Sequence, residues 1–189
     1  MKRRDLLGGL GALAATMTAA LVAKRAHAEP RLRPPGALDG DAFAAACIRC
    51  FRCAEVCPVQ AIHFESGSPR LAETPFLNAR ERGCVLCMAC GSACPTGALR
   101  PIPFDRVVIQ REAQMGVAFV TEKKCIAWQQ SGVCRACYYV CPYQDEAITL
   151  RGPMQAPHVE PDKCCGCGLC EEACPEHASA IHVTPRSGR

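Results

Sequence analysis

Sixteen of the seventeen cysteines in this 189-residue chain fall into four blocks, and each block ends in Cys-Pro. They read Cys47-x2-Cys50-x2-Cys53-x3-Cys57-Pro58, Cys84-x2-Cys87-x2-Cys90-x3-Cys94-Pro95, Cys125-x8-Cys134-x2-Cys137-x3-Cys141-Pro142 and Cys164-x2-Cys167-x2-Cys170-x3-Cys174-Pro175. So regular a run of thiols leaves few folds open. Aromatic residues make up only 5% of the chain. About 160 residues split into two halves carry little apolar core per half. Whatever the sulfurs hold must organise the polypeptide around it.

The spacing names that partner. Three thiolates at two-residue gaps can curl round one iron–sulfur cubane, each sulfur meeting a different iron. The fourth Cys sits about one helical turn further on and faces away, so in two-cluster arrangements it serves the other cluster. The proline that follows lacks an N–H and fixes the backbone's exit from the short helix. Sixteen thiolates at four per cluster predict four 4Fe–4S clusters with no ligand missing. A disulfide framework is the default for a small exported chain rich in cysteine, but such frameworks do not repeat one unit four times, and the total here is odd. Zinc sites use paired C-x2-C knuckles, which would leave the third and fourth Cys of each run without a reason for their spacing. Cys165 is the extra thiol: taking Cys164 as ligand keeps the register with Cys167, Cys170 and Cys174, and taking Cys165 breaks it. Cys165 is therefore read as a spare thiol beside a cluster. His63, His158, His177 and His182 show no pairing that suggests ligation.

Residues 1–28 read as an address. Lys2, Arg3 and Arg4 precede a weakly apolar stretch, Leu6 to Ala23, and Ala26-His27-Ala28 offers a cleavage site before Glu29. The Arg3-Arg4 pair followed by Asp5-Leu6-Leu7 resembles a twin-arginine signal. Folded export into the periplasm would suit a chain whose clusters are built in a reducing compartment. Left uncleaved, the segment would anchor the protein. The formal charge of +4 belongs wholly to this segment, in which Lys2, Arg3, Arg4, Lys24 and Arg25 stand against Asp5. The remainder is formally neutral, which argues against a nucleic-acid partner. Each oxidised cubane with its thiolates would add about −2, making the loaded protein acidic by roughly eight charges.

The rest of the chain is repetitive. Residues 29–40 are Pro-rich and predicted extended, as a tether. Asp41 to Ala46 reads as a short helix capped by Asp41. After each Cys-Pro comes an apolar dipeptide (Ala61-Ile62, Ala98-Leu99, Ala147-Ile148, Ala180-Ile181) that opens a predicted strand, such as Ile62 to Phe64 or Ile148 to Leu150. Thr74 to Asn78, Val117 to Val120 and His158-Val159 are further candidate strands. The predicted fold is α+β with little regular secondary structure. It has two dicluster modules of bacterial-ferredoxin type, 41–110 and 111–189, each with a cluster-dominated core. The pairing of runs stays open: sequential pairing exchanges Cys57 with Cys94, nested pairing exchanges Cys57 with Cys174. The eight-residue gap of the third run holds Trp128, read as covering apolar surface in an enlarged loop. Arg49, Arg52, Arg82, Lys124, Arg135 and Lys163 lie in or beside the runs, where a cation can raise a local potential.

With these motifs placed, the chain resembles the periplasmic ferredoxin-type proteins of the NapG/MauM group. The likeness runs through Arg31-Leu32-Arg33-Pro34-Pro35-Gly36-Ala37, the stretch from Ala42-Phe43 to Cys57-Pro58, and Met115-Gly116-Val117-Ala118. It continues in the long gap from Cys125 to Cys134 and in Asp145-Glu146-Ala147-Ile148-Thr149-Leu150. The second run departs from the group's usual C-x2-C-x4-C, having two residues between Cys87 and Cys90. The resemblance implies an electron carrier with no reaction of its own. Electrons would arrive from a quinol-oxidising membrane iron–sulfur protein and leave to a periplasmic cytochrome or reductase, in a nitrate-reductase-type or methylamine-utilisation-type system. An assembly or maturation factor for a partner redox enzyme is the alternative. A substrate-binding cluster needs an iron without a Cys ligand, and the count of sixteen leaves none.

Overall fold

The computed structural model describes residues 31–67, 71–176 and 179–186. The leader, its cleavage site and His177 lie outside the described residues. Each cysteine run ends in a single helical turn: α2 (Arg52–Glu55), α3 (Ala89–Ala93), α5 (Ala136–Tyr139) and α6 (Leu169–Glu172). The residue before each turn takes a left-handed backbone: Phe51 (φ 62°), Met88 (58°), Arg135 (62°) and Gly168 (84°). That conformation throws the chain sharply from loop to helix.

Both halves follow one plan. In the second, the hairpin β4 (Ile148–Arg151) and β5 (Ala156–Val159) pairs antiparallel, Ile148 opposite Val159. The outer strands β3 (Gly116–Val120) and β6 (Ile181–Pro185) pair antiparallel, Val120 opposite Ile181. In the first half the hairpin is β1 (Ile62–Phe64) with β2 (Pro75–Leu77), Ile62 opposite Leu77. Its outer pair is reduced to one bridge, Ala37 with Leu99, so the strand expected at Ala98-Leu99 does not extend.

The Pro-rich arm supplies the missing partner. Leu32 to Ala37 are buried, which corrects the expectation of a tether. The Leu77 amide donates to the Leu32 carbonyl (2.7 Å), Leu38 to Ala98 (3.0 Å) and Arg100 to Gly36 (2.8 Å). The buried Arg33 guanidinium donates to Thr74 Oγ1 (3.0 Å) and the Pro75 carbonyl (2.7 Å), and lies 4.9 Å from the centre of the Phe43 ring. α1 (Gly40–Ala46) follows. Its cap position is Asp39, without a side-chain cap bond, and Asp41 sits in the first turn. There the carboxylate favours the positive end of the helix instead of capping it.

The halves are joined by α4 (Arg106–Glu112), which the sequence reading did not anticipate. Asp105 caps it, accepting from the amides of Val107 (3.0 Å) and Val108 (2.9 Å). Ile109 is buried, and Tyr143 of the second half donates to the Arg106 carbonyl (3.0 Å). One apolar cluster therefore runs through both halves, from Leu32, Phe43 and Leu99 to Met115, Tyr143 and Cys167. A second, around Ala118, Ile148 and Ile181, belongs to the second half. Among the described residues no helix is long and apolar enough to cross a membrane.

Candidate functional site

The sixteen cysteines of the runs come together in fours. One pocket is lined by Cys47, Cys50, Cys53 and Cys94 (site I). A second is lined by Cys57, Cys84, Cys87 and Cys90 (site II). A third is lined by Cys125, Cys134, Cys137 and Cys174 (site III). Cys141, Cys164, Cys167 and Cys170 form site IV, where Cys164 and Cys167 bear electrostatically on both Cys141 and Cys170. Each run thus gives three sulfurs to one site and its last to the neighbour, and the open pairing resolves as first with second and third with fourth. The eight-residue gap does not displace Cys125, which returns to Cys134 and Cys137.

The walls are otherwise mostly apolar, with Arg49 and Thr96 also lining site I and Arg135 and Glu176 site III. Phe43, Phe51, Phe64 and Leu99 close site I, and Val120, Ala127 and Ile181 close site III. The sulfurs stand around these cavities instead of converging. Among the described residues no three Cys, His, Asp or Glu side chains meet as they would on a single metal ion.

Amides aim at the last sulfur of three runs. Ala61 N–H reaches Cys57 Sγ at 3.4 Å, Leu99 N–H reaches Cys94 Sγ at 3.4 Å, and Ala180 N–H reaches Cys174 Sγ at 3.3 Å. The recurring apolar dipeptide after Cys-Pro therefore has a second task besides opening a strand. Such N–H···S bonds favour the charged sulfur and tune a bound cluster's potential. At Cys94 burial acts against ionisation, yet the donors from Leu99, Thr96 and Gly97 together hold the thiol below its ordinary value. At several other run cysteines burial dominates. It pushes Cys53 and Cys141 up to about 11, and Cys90 and Cys137 up to about 12.

Cys165 is buried beside site IV. Its thiol hydrogen-bonds the sulfur of Cys167, so Cys165 holds its proton tightly and Cys167 loses its own more readily. The described histidines are engaged elsewhere. His63 lies 3.5 Å from Glu81, His182 lies 3.6 Å from Glu171, and His158 packs on Trp128 with ring centres 4.8 Å apart. Trp128 packs against the second core cluster and donates to the Pro157 carbonyl (3.1 Å). Among the basic residues, Arg49 turns onto the Ala72 and Cys47 carbonyls, Arg82 meets Glu172 at 3.4 Å, and Arg135 lies over Tyr139.

Known families agree with this construction. The family described as a 4Fe-4S dicluster domain matches residues 46–98, and a 4Fe-4S binding domain matches residues 157–178. The methylamine utilization ferredoxin-type protein MauM of Methylorubrum extorquens is 42% identical, over 97% of this chain and 89% of its own length. The chain belongs to the MauM/NapG family of ferredoxin-type proteins. The ferredoxin-type protein NapG of Escherichia coli is 38% identical over 97% of this chain and 84% of its own. MauM of Methylobacillus flagellatus is 39% identical over 89% and 74%. As a family member the chain is an iron–sulfur electron-transfer protein with mixed α and β elements and little regular structure.

Proposed function

We propose that this chain is a periplasmic one-electron relay holding four 4Fe–4S clusters, one in each of sites I to IV. The observation that carries the reading is the division of all sixteen run cysteines into four quartets, three of them around mostly apolar pockets. Soft thiolate donors arranged around a space, with amides aimed at sulfur, suit a polynuclear cluster better than a lone zinc, whose four ligands crowd one ion. When bound, a 4Fe–4S cluster supplies a one-electron couple. The chain does the rest: it excludes water with Phe43, Phe64, Leu99 and Ile181, and it sets charge at sulfur through Ala61, Leu99 and Ala180.

The twin-arginine leader supports folded, loaded export to the periplasm, with anchoring if it is retained. The names MauM and NapG support a place beside methylamine-utilisation or nitrate-reductase-type systems. In that setting a quinol-oxidising membrane iron–sulfur protein is the donor, and a periplasmic cytochrome or reductase the acceptor. A loaded charge of about −8 suits basic docking patches on those partners, acting mainly on encounter rate. Anaerobically purified protein should contain about sixteen iron atoms per chain. Iron for fewer than three clusters, or zinc in its place, would reject the reading.

A further inference from the structure

The spatial order of the four sites differs from their order along the chain. Cys90 of site II lies close enough to Cys53 of site I to feel its charge. Cys170 of site IV feels Cys137 of site III. The halves meet elsewhere: Cys84 of site II feels Cys167 of site IV, and the Cys84 amide donates to the Cys167 carbonyl at 2.7 Å. Two ligand-bearing backbones from opposite halves are thus hydrogen-bonded directly. The order in space is I, II, IV, III.

The contact is built, not incidental. Arg80 donates from the first half to the carbonyls of Glu171 (2.9 Å), Cys174 (2.9 Å) and Glu176 (3.0 Å) at the end of α6. A guanidinium is the natural complement of that negative helix end. The Gly83 amide donates to Glu172 Oε2 at 2.7 Å, and Arg82 meets the same carboxylate. Gly83 has no room for a side chain: a Cβ would lie 2.7 Å from the Leu169 nitrogen and 2.8 Å from its Cα. Both are backbone atoms, so any substitution pushes the halves apart.

Resting on the reading of the chain as a relay, we infer that electrons cross between the halves at the Cys84–Cys167 contact, and that Gly83 and Arg80 are the positioning residues that set its closeness. Each crossing moves one electron, with no bond made or broken and no proton transferred. The half that gives is oxidised and the half that takes is reduced, the donor and acceptor beyond being one-electron redox proteins. Sites I and III are then the terminals. Exposed apolar side chains stand at both, Ile48 and Phe51 at site I and Val133 next to Cys134 at site III.

The test uses the complete, iron-loaded protein and the variants Gly83→Ala, Gly83→Val and Arg80→Ala. Gly132→Ala serves as control, since its backbone is not left-handed and a Cβ there meets only Ile126 Cγ2, at an ordinary 3.4 Å. Iron content is measured beside the electron paramagnetic resonance of the fully reduced state. The expected result is iron as in the unaltered protein with progressive loss of the magnetic interaction between halves, greatest in Gly83→Val and absent from the control. Should Gly83→Val fail to hold iron, Gly83→Ala and Arg80→Ala decide. Full iron with an unchanged interaction spectrum in those variants would overturn the inference while leaving the relay intact. Missing iron in the unaltered protein would instead remove the relay itself.

Discussion

Cys57 and Cys94 occupy the same place in their runs, yet each completes the other run's site. The exchange gives a sharp expectation. Cys94→Ser should alter the same cluster signal as Cys50→Ser, and Cys57→Ser the same signal as Cys87→Ser, in redox-titrated paramagnetic resonance. Matching within runs instead would show that no exchange occurs. The cysteine positions were legible because a metal cluster tolerates few spacings. The loop conformation was not. Arg49, Phe51, Leu86 and Met88 all adopt a left-handed backbone, with φ between 57° and 62°. None is a residue type that favours that region. Only the fourth run, with Gly166 and Gly168 at the matching positions, betrays the shape in its sequence. The hydrogen bonds of Arg80 to the end of α6 were equally hidden, because a guanidinium's partners more than ninety residues away leave no local pattern.

Among the elements, short strands were the readable part. Ile62–Phe64 matches its expectation, and Val117 to Val120 and Ile148 to Leu150 each fall one residue short of the observed strand. Apolar character beside a Cys-Pro was signal enough. The arm was misread because proline and arginine usually mark solvated chain. Here the prolines pack, and Arg33 finds acceptors inside, although burial lowers its pKa from the usual guanidinium value. Arg33→Ala would leave Thr74 Oγ1 without that donor and strand the Pro75 carbonyl. The expected cost is about 1–3 kcal/mol, measurable as a lower midpoint in thermal unfolding of the loaded protein. An exposed arginine such as Arg52 should show no such loss on the same substitution. α4 was missed for a different reason: seven residues give too few turns for an apolar period to stand out, and only Asp105 announced it.

For the whole molecule, the balance between strain and stability decides what the polypeptide can do alone. Six non-glycine residues inside the runs (Arg49, Phe51, Leu86, Met88, Gln130, Arg135) sit in the left-handed region. At about 1–2 kcal/mol each, they cost on the order of 6–12 kcal/mol together, as much as the entire stability of a typical domain. Such strain persists only where something over-determines the geometry, and sulfur-held clusters are what would do so. Proton binding adds a pH term in the same direction. Thiols in an unfolded chain ionise near 8.5, whereas burial raises Cys53 and Cys141 to about 11 and Cys90 and Cys137 to about 12 in the empty fold. Their contribution to a stripped but compact chain is therefore whole below about pH 8.5 and drains away as pH climbs toward those folded values. Iron-bound thiolates have no proton left to lose, so the loaded protein escapes this alkaline penalty. Stripped protein should show no cooperative thermal transition by far-ultraviolet circular dichroism at pH 7. Raising the pH to 10 should erase what residual structure it has, while the loaded protein keeps its spectrum. A cooperative native-like melt in metal-free material would mean that the polypeptide holds these loops unaided, and that the strain is compensated by the apolar clusters around Phe43 and Ile181.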